Sequence, residues 1–143
     1  MIAYADTSFL LSLYGQDAHS STALAEVSQA KPVFMLTPFG ETEFTNALQL
    51  RLFHKDWTPA EARAVRTEFR DDLRRGIVRS EELPPEVFSL SRTLSRRHTA
   101  RMGARTLDIL HVASALLLHP EIFYSFDDRQ RRVAKAEGLK VRP

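Results

Sequence analysis

No cysteine occurs anywhere in the 143 residues. That absence excludes disulfides, thiolate zinc sites, iron–sulfur clusters and cysteine nucleophiles, and a reducing cytoplasm is the compartment it suits. No secretory leader is expected either, because no basic run precedes the short apolar stretch from Phe9 to Tyr14. Long hydrophobic runs are absent too. The longest, Leu107 to Leu118, has 12 residues and contains Asp108 and His111, which is too short and too polar to cross a bilayer. No linker, repeat or low-complexity tract divides the chain. One cytoplasmic domain covering residues 1–143, with no membrane segment, is therefore expected.

Charge is present in quantity but unevenly placed. The net charge is +2, yet residues 1–50 hold five acids against the single base Lys31, and the remaining 93 hold 13 acids against 19 bases. Arg92, Arg96, Arg97, Arg101 and Arg105 follow one another with no acid between them. Six bases against three acids then close the chain from Asp127 to Pro143. Solvated helix faces explain many arginines. A basic half of this extent also points to an anionic partner, with nucleic acid first among the choices.

Short β-type runs alternate with helical patterns, which predicts an α/β domain with a mainly parallel sheet. Strands are expected at Ile2–Ala5, Val33–Leu36, Ile77–Arg79, Ile122–Phe126 and Leu139–Val141. Thr37-Pro38 opens a helix running toward residue 54. Thr58-Pro59-Ala60-Glu61 forms a capping box for a second helix, stopped near Gly76. Pro84-Pro85 opens a third, with Val87, Leu90 and Leu94 on one stripe. Thr106 is expected to cap Leu107–Leu118, which His119-Pro120 ends. Asp127 begins a last helix terminated by Gly138, and a further helix spans about His19 to Ala30.

Open parallel sheets place their sites beyond the carboxyl ends of the strands. Asp6 follows the first strand and Asp127 the fourth, while Glu43 and Asp108 lie near the starts of apolar helices. Four acids from four segments thus arrive at one rim. Each alone has an ordinary explanation: Asp6 or Asp127 as a helix cap, Asp108 as a dipole partner, Glu43 as a solvated acid. Together they carry a cost, since two unit charges 4 Å apart repel by about 4 kcal/mol at an effective dielectric of 20. A hard dication held by oxygen, Mg²⁺ or Mn²⁺, relieves that repulsion. It also activates water and stabilises charge on phosphate, so metal-assisted phosphodiester hydrolysis follows. Asn46, on the face of Glu43, and Arg105, just before the Asp108 helix, are candidate substrate contacts.

At these residues the chain resembles the PIN-domain ribonucleases and, within them, the VapC-like toxins of toxin–antitoxin pairs. Tyr4-Ala5-Asp6-Thr7-Ser8 is similar to the family's opening element, and Glu43 through Leu48 to its second acidic segment. Arg105-Thr106-Leu107-Asp108-Ile109-Leu110-His111-Val112-Ala113 resembles the third, and Phe126-Asp127 with Gln130, Ala134 and Gly138-Leu139 the fourth. The resemblance covers nearly the whole chain. It implies a three-layer α/β/α sandwich and an endoribonuclease dependent on Mg²⁺ or Mn²⁺. It implies Asp6, Glu43, Asp108 and Asp127 as the acidic quartet, with Asp6, Asp108 and Asp127 holding the metal and Thr7 or Ser8 as hydroxyl neighbours. A homodimer and an inhibitory antitoxin partner are implied as well.

Two other classes compete. One is a non-catalytic module that binds RNA or protein. The other is a metal-dependent phosphatase with Asp6 as nucleophile, a haloacid dehalogenase-type pattern that wants an aspartate where Ser8 stands. Asp128 competes with Asp127 for the fourth acidic position. His111 reads as a hydrogen-bonded core histidine and stays outside the site. Ile109, Val112, Ala113, Leu116 and Leu117 read as core, as do Phe9, Leu10 and Leu13. Phe53 and Trp57 are expected to pack between two helices.

Overall fold

The computed structural model describes all 143 residues. Strands β1 (Ile2–Ala5), β2 (Val33–Leu36), β3 (Val78–Ser80), β4 (Ile122–Tyr124) and β5 (Val141–Arg142) form one parallel sheet in the order β3-β2-β1-β4-β5. Alternation along the strands creates the layers, because successive side chains point to opposite faces. Ala3, Ala5, Phe34, Leu36, Ile122 and Tyr124 enter one core. They meet there residues of α1 (Thr7–Tyr14), α2 (Ser20–Ala30), α3 (Pro38–Phe53) and α4 (Pro59–Arg75). Tyr4 and Phe123 enter the other. That core is closed by α5 (Val87–Leu94), α7 (Thr106–Leu118) and α8 (Asp128–Ala136). The α/β/α sandwich follows. A π-helical turn, Ser95–Thr99, joins α5 to the short α6 (Ala100–Met102).

The differences from the sequence reading have local causes. Helix α1 was not expected: its run Phe9-Leu10-Leu11 is apolar on all sides and shows no clear period. The Asp6 carboxylate nucleates it by accepting from the Phe9 N–H at 2.9 Å. β4 stops at Tyr124 rather than Phe126. Beyond it the Phe126 N–H turns to Ser8 Oγ and the Asp127 N–H to Ser125 Oγ, which takes both out of the ladder. β3 and β5 are shifted by one or two residues, to Val78–Ser80 and Val141–Arg142. Arg105, not Thr106, is the cap residue of α7, because the Asp108 carboxylate reaches back to the Arg105 N–H at 2.7 Å. Trp57 is buried as expected, but Phe53 is 78% exposed. It occupies the last turn of α3, on a face that no other element covers. Leu13 is half-buried and packs against the edge of the core.

Candidate active site

β1 is the central strand, flanked by β2 and β4, and the chain crosses over it on the way from β3 to β4. The crevice beyond its carboxyl end is the place such sheets use for ligands. Asp6 sits there, fully buried, at the junction of β1 and α1. Its two carboxylate oxygens accept from Ser8 Oγ at 2.7 and 2.9 Å, and Oδ2 accepts from Ser125 Oγ at 2.6 Å. Ser125 follows β4, so the parallel pairing of Ala5 with Tyr124 brings these two residues side by side. Burial pushes the Asp6 carboxyl above its ordinary value, offset only in part by His111, Ser125, Phe9 and Ser8.

Above Asp6 lies a cavity of about 600 Å³ lined by Thr7, Ser8, Glu43, Asn46, Arg105, Asp108, Asp127 and Gln130 among others. Three of the four acids face it directly, and Asp6 joins through Ser8, which lines the cavity and donates to it. Asp127 caps α8 through Oδ1, which accepts from the Arg129 and Gln130 N–H groups. Its other oxygen lies 3.7 Å from Arg105 Nη2. Asp128 is exposed on the first turn of α8 and does not line the cavity. Asp108 is buried and accepts at Oδ1 from Gln130 Nε2 at 3.3 Å. Arg105 Nε stands 3.6 Å from its Oδ2, so one guanidinium spans Asp108 and Asp127. Asn46 is exposed on the rim.

His111 is the residue that sequence reasoning left out. It is buried as expected, yet its Nε2 meets Glu43 Oε1 at 2.9 Å and its Nδ1 meets the Tyr4 hydroxyl at 2.9 Å. Burial alone would raise the Glu43 carboxyl, but the hydrogen bond and charge of His111 outweigh it and hold the group below its ordinary value. Helix α7 therefore supplies one acid itself and steers a second through a residue one turn further on. The signal was the spacing Asp108–His111, which puts both on one helix face. Gln130 and Ser125, which hold Asp108 and Asp6, are the other supporting residues.

The donors suit a hard dication. All are oxygens, and one buried oxygen of a residue on the cavity wall, Gln130 Oε1, has no hydrogen-bond partner. Buried polar atoms are seldom left so without a water or an ion to meet them. No three acidic or histidine side chains are already gathered close enough to hold one ion. Arg105 supplies the positive charge between Asp108 and Asp127. Both Asp6 oxygens accept from serine hydroxyls inside the protein, so Ser8 and Ser125 fix its orientation at the floor of the site.

The PIN domain family model matches residues 3–136. The chain belongs to the PIN domain family. No curated protein matches it in sequence. Among solved structures, it is similar to VapC20 of Mycobacterium tuberculosis, described as a sarcin–ricin loop cleaving toxin. The identity is 24%, the coverage 99% of both chains and the TM-score 0.70. It is also similar to VapBC2 of Rickettsia felis, solved bound to a DNA fragment from its promoter, at 10% identity. Coverage there is 99% of this chain and 98% of that one, with a TM-score of 0.66. FitAcB of Neisseria gonorrhoeae matches at 13% identity over 100% and 97% of the two chains, with a TM-score of 0.67. These likenesses extend the shared PIN fold across the full chain.

Proposed function

We infer that this PIN domain protein is an endoribonuclease dependent on Mg²⁺ or Mn²⁺, acting as the toxin of a toxin–antitoxin pair. The observation that carries the reading is the single cavity that gathers Glu43, Asp108 and Asp127 over the buried Asp6. VapC20, a sarcin–ricin loop cleaving toxin, and VapBC2 share the fold and support the toxin assignment. An antitoxin protein and a second copy of the chain are the proposed partners, and an RNA loop the proposed substrate.

Asp6, Asp108 and Asp127 would hold the ion, which when bound lowers the pKa of water and offsets charge on the phosphate. The remaining chemistry belongs to the protein. Glu43, kept ionised by His111, accepts a hydrogen bond from the attacking water and orients its lone pair toward phosphorus. As the water oxygen bonds to phosphorus its proton passes to Glu43, the P–O ester bond breaks, and the leaving oxygen takes a proton from solvent. Thr7, Ser8 and Asn46 line the approach of the ribose–phosphate chain, and Arg105 is placed to pair with a phosphate oxygen.

The test is cleavage of cellular RNA with Mg²⁺ or Mn²⁺, suppressed by EDTA. Asp6→Asn and Asp108→Asn are expected to lose at least about 100-fold in rate, each with unchanged circular dichroism. Full activity in both variants overturns the site. Binding of RNA without any cleavage points instead to a non-catalytic module.

A further inference from the structure

A second cavity opens beside the acidic one and shares a wall with it. It encloses about 370 Å³ between α5, the π-helical turn and the start of α7. Its lining includes Phe88, Ser91, Arg92, Ser95, Thr99 and Arg105, over an apolar floor from α7. Arg105 lines both cavities. No acid lines this one, in contrast to its neighbour. Phe88 is 55% exposed at its mouth, where burial against protein is not what holds it. Ser91 Oγ is buried without a partner. The Ser95 and Thr99 hydroxyls bond only to each other, at 3.3 Å. Arg92 makes no ion pair, although it is one of five arginines in this segment.

We propose that this cleft is the subsite for one unpaired nucleotide of the RNA, adjacent to the bond that the acidic cavity cleaves. The proposal rests on the ribonuclease reading and adds where the flanking nucleotide lies. Each part of an unpaired nucleotide finds its complement. The base stacks on Phe88, an interaction that any base can make through its π-face. The unpartnered Ser91 hydroxyl, with Ser95 and Thr99, meets base edges or the 2′-OH, and such hydroxyls both donate and accept. Arg92 and Arg105 flank it as phosphate partners, and a cavity of this size suits one small ligand rather than a duplex. Charge separation between the cavities sets the polarity of binding, with the anionic backbone drawn to the acid-free side and the dication to the acidic side.

The test uses the full-length protein and a single-stranded RNA oligonucleotide of mixed sequence carrying 5-iodouridine. Photocrosslinking of the cleavage-impaired Asp6→Asn protein is expected to yield adducts on the peptide containing Phe88. In the otherwise native enzyme, Phe88→Ala and Arg92→Ala are each expected to raise KM about 10-fold while kcat stays within about 2-fold. Phe88→Tyr is expected to restore KM, because the stacking face returns. Adducts confined to other peptides, or an unchanged KM in both variants of an enzyme that still cleaves RNA, overturn the subsite while leaving the nuclease reading intact. If the native protein cleaves no RNA, the crosslink and an anisotropy titration of the same oligonucleotide against Phe88→Ala still decide it. If Phe88→Ala changes the mass in solution and not RNA affinity, the cleft is an interface between copies and the proposal falls.

Discussion

Glu43 and His111 stand 68 residues apart in the chain and 2.9 Å apart in space. What the histidine does there is hold a carboxylate in one rotamer, with Tyr4 fixing the ring from the other side. His111→Gln keeps a donor facing Glu43, whereas His111→Leu removes it and strands the buried Tyr4 hydroxyl. The leucine variant is expected to lose about 10- to 100-fold in kcat and about 1–3 kcal/mol of stability. The glutamine variant should recover most of the rate, and kcat beside thermal melts separates the two effects. Asp6 sets a different balance. Its carboxyl titrates higher in the folded protein than in the unfolded chain, so folding takes up a proton there. The stability linked to it is full below the ordinary carboxylate range, and it is lost as pH rises through the raised value. Asp6→Asn, still able to cap α1, is therefore expected to melt no lower than the native protein at neutral pH without divalent ions. That advantage should vanish below about pH 4, as a series of melts across pH would show.

Helices in this fold position acids by their first turns. α1 begins at Asp6, α8 at Asp127, and α7 within a turn of Asp108. A carboxylate at a helix start meets free N–H groups and the positive end of the dipole, so the residues that stop the backbone from fraying also face the cavity, as Asp108 and Asp127 do, or lie beneath it, as Asp6 does. This double use explains why each acid, taken singly, reads as a cap. α4 is the contrasting case. Its capping box is complete, with Glu61 N–H donating to Thr58 Oγ1 and Thr58 N–H to Glu61 Oε2, and it touches neither cavity. Thr58→Ala is expected to cost about 1 kcal/mol, a fall in Tm of about 3–5 °C, with RNA cleavage unchanged. An equal loss of cleavage would mean that α4 takes part in the site.

Across the whole molecule, charge is segregated. The first 50 residues are acidic and the rest basic, and the fold places Arg105 between Asp108 and Asp127 and Arg92 in the acid-free cleft beside them. Binding of RNA is therefore expected to weaken linearly in log–log plots against salt, with a slope of about −0.7 for each phosphate neutralised. Replacing Arg92 by Ala should flatten the slope by about that amount, measured by anisotropy from low to physiological salt. An unchanged slope would place Arg92 in solvent.

The order of strands and helices was legible in the sequence because each unit carries its own punctuation: Thr37-Pro38, the Thr58–Glu61 box, His119-Pro120 and Gly138. Asp6, Glu43, Asp108 and Asp127 were legible as a group because a parallel sheet gathers its strand ends at one edge. Helix α1 was not, since its apolar run has no period to read. The role of His111 was hidden for a related reason. Whether a buried histidine meets a backbone carbonyl or a site glutamate depends on how α3 and α7 pack across the sheet edge, and no local pattern records that. The same packing decided that Asp127 and not Asp128 faces the cavity, that Arg105 spans two acids, and that a second, acid-free cleft opens beside the first. Local sequence determines where elements start and stop through short-range hydrogen bonds and backbone preferences. Which side chains then confront one another is decided by the tertiary structure, because those distances are set by packing between segments far apart in the chain.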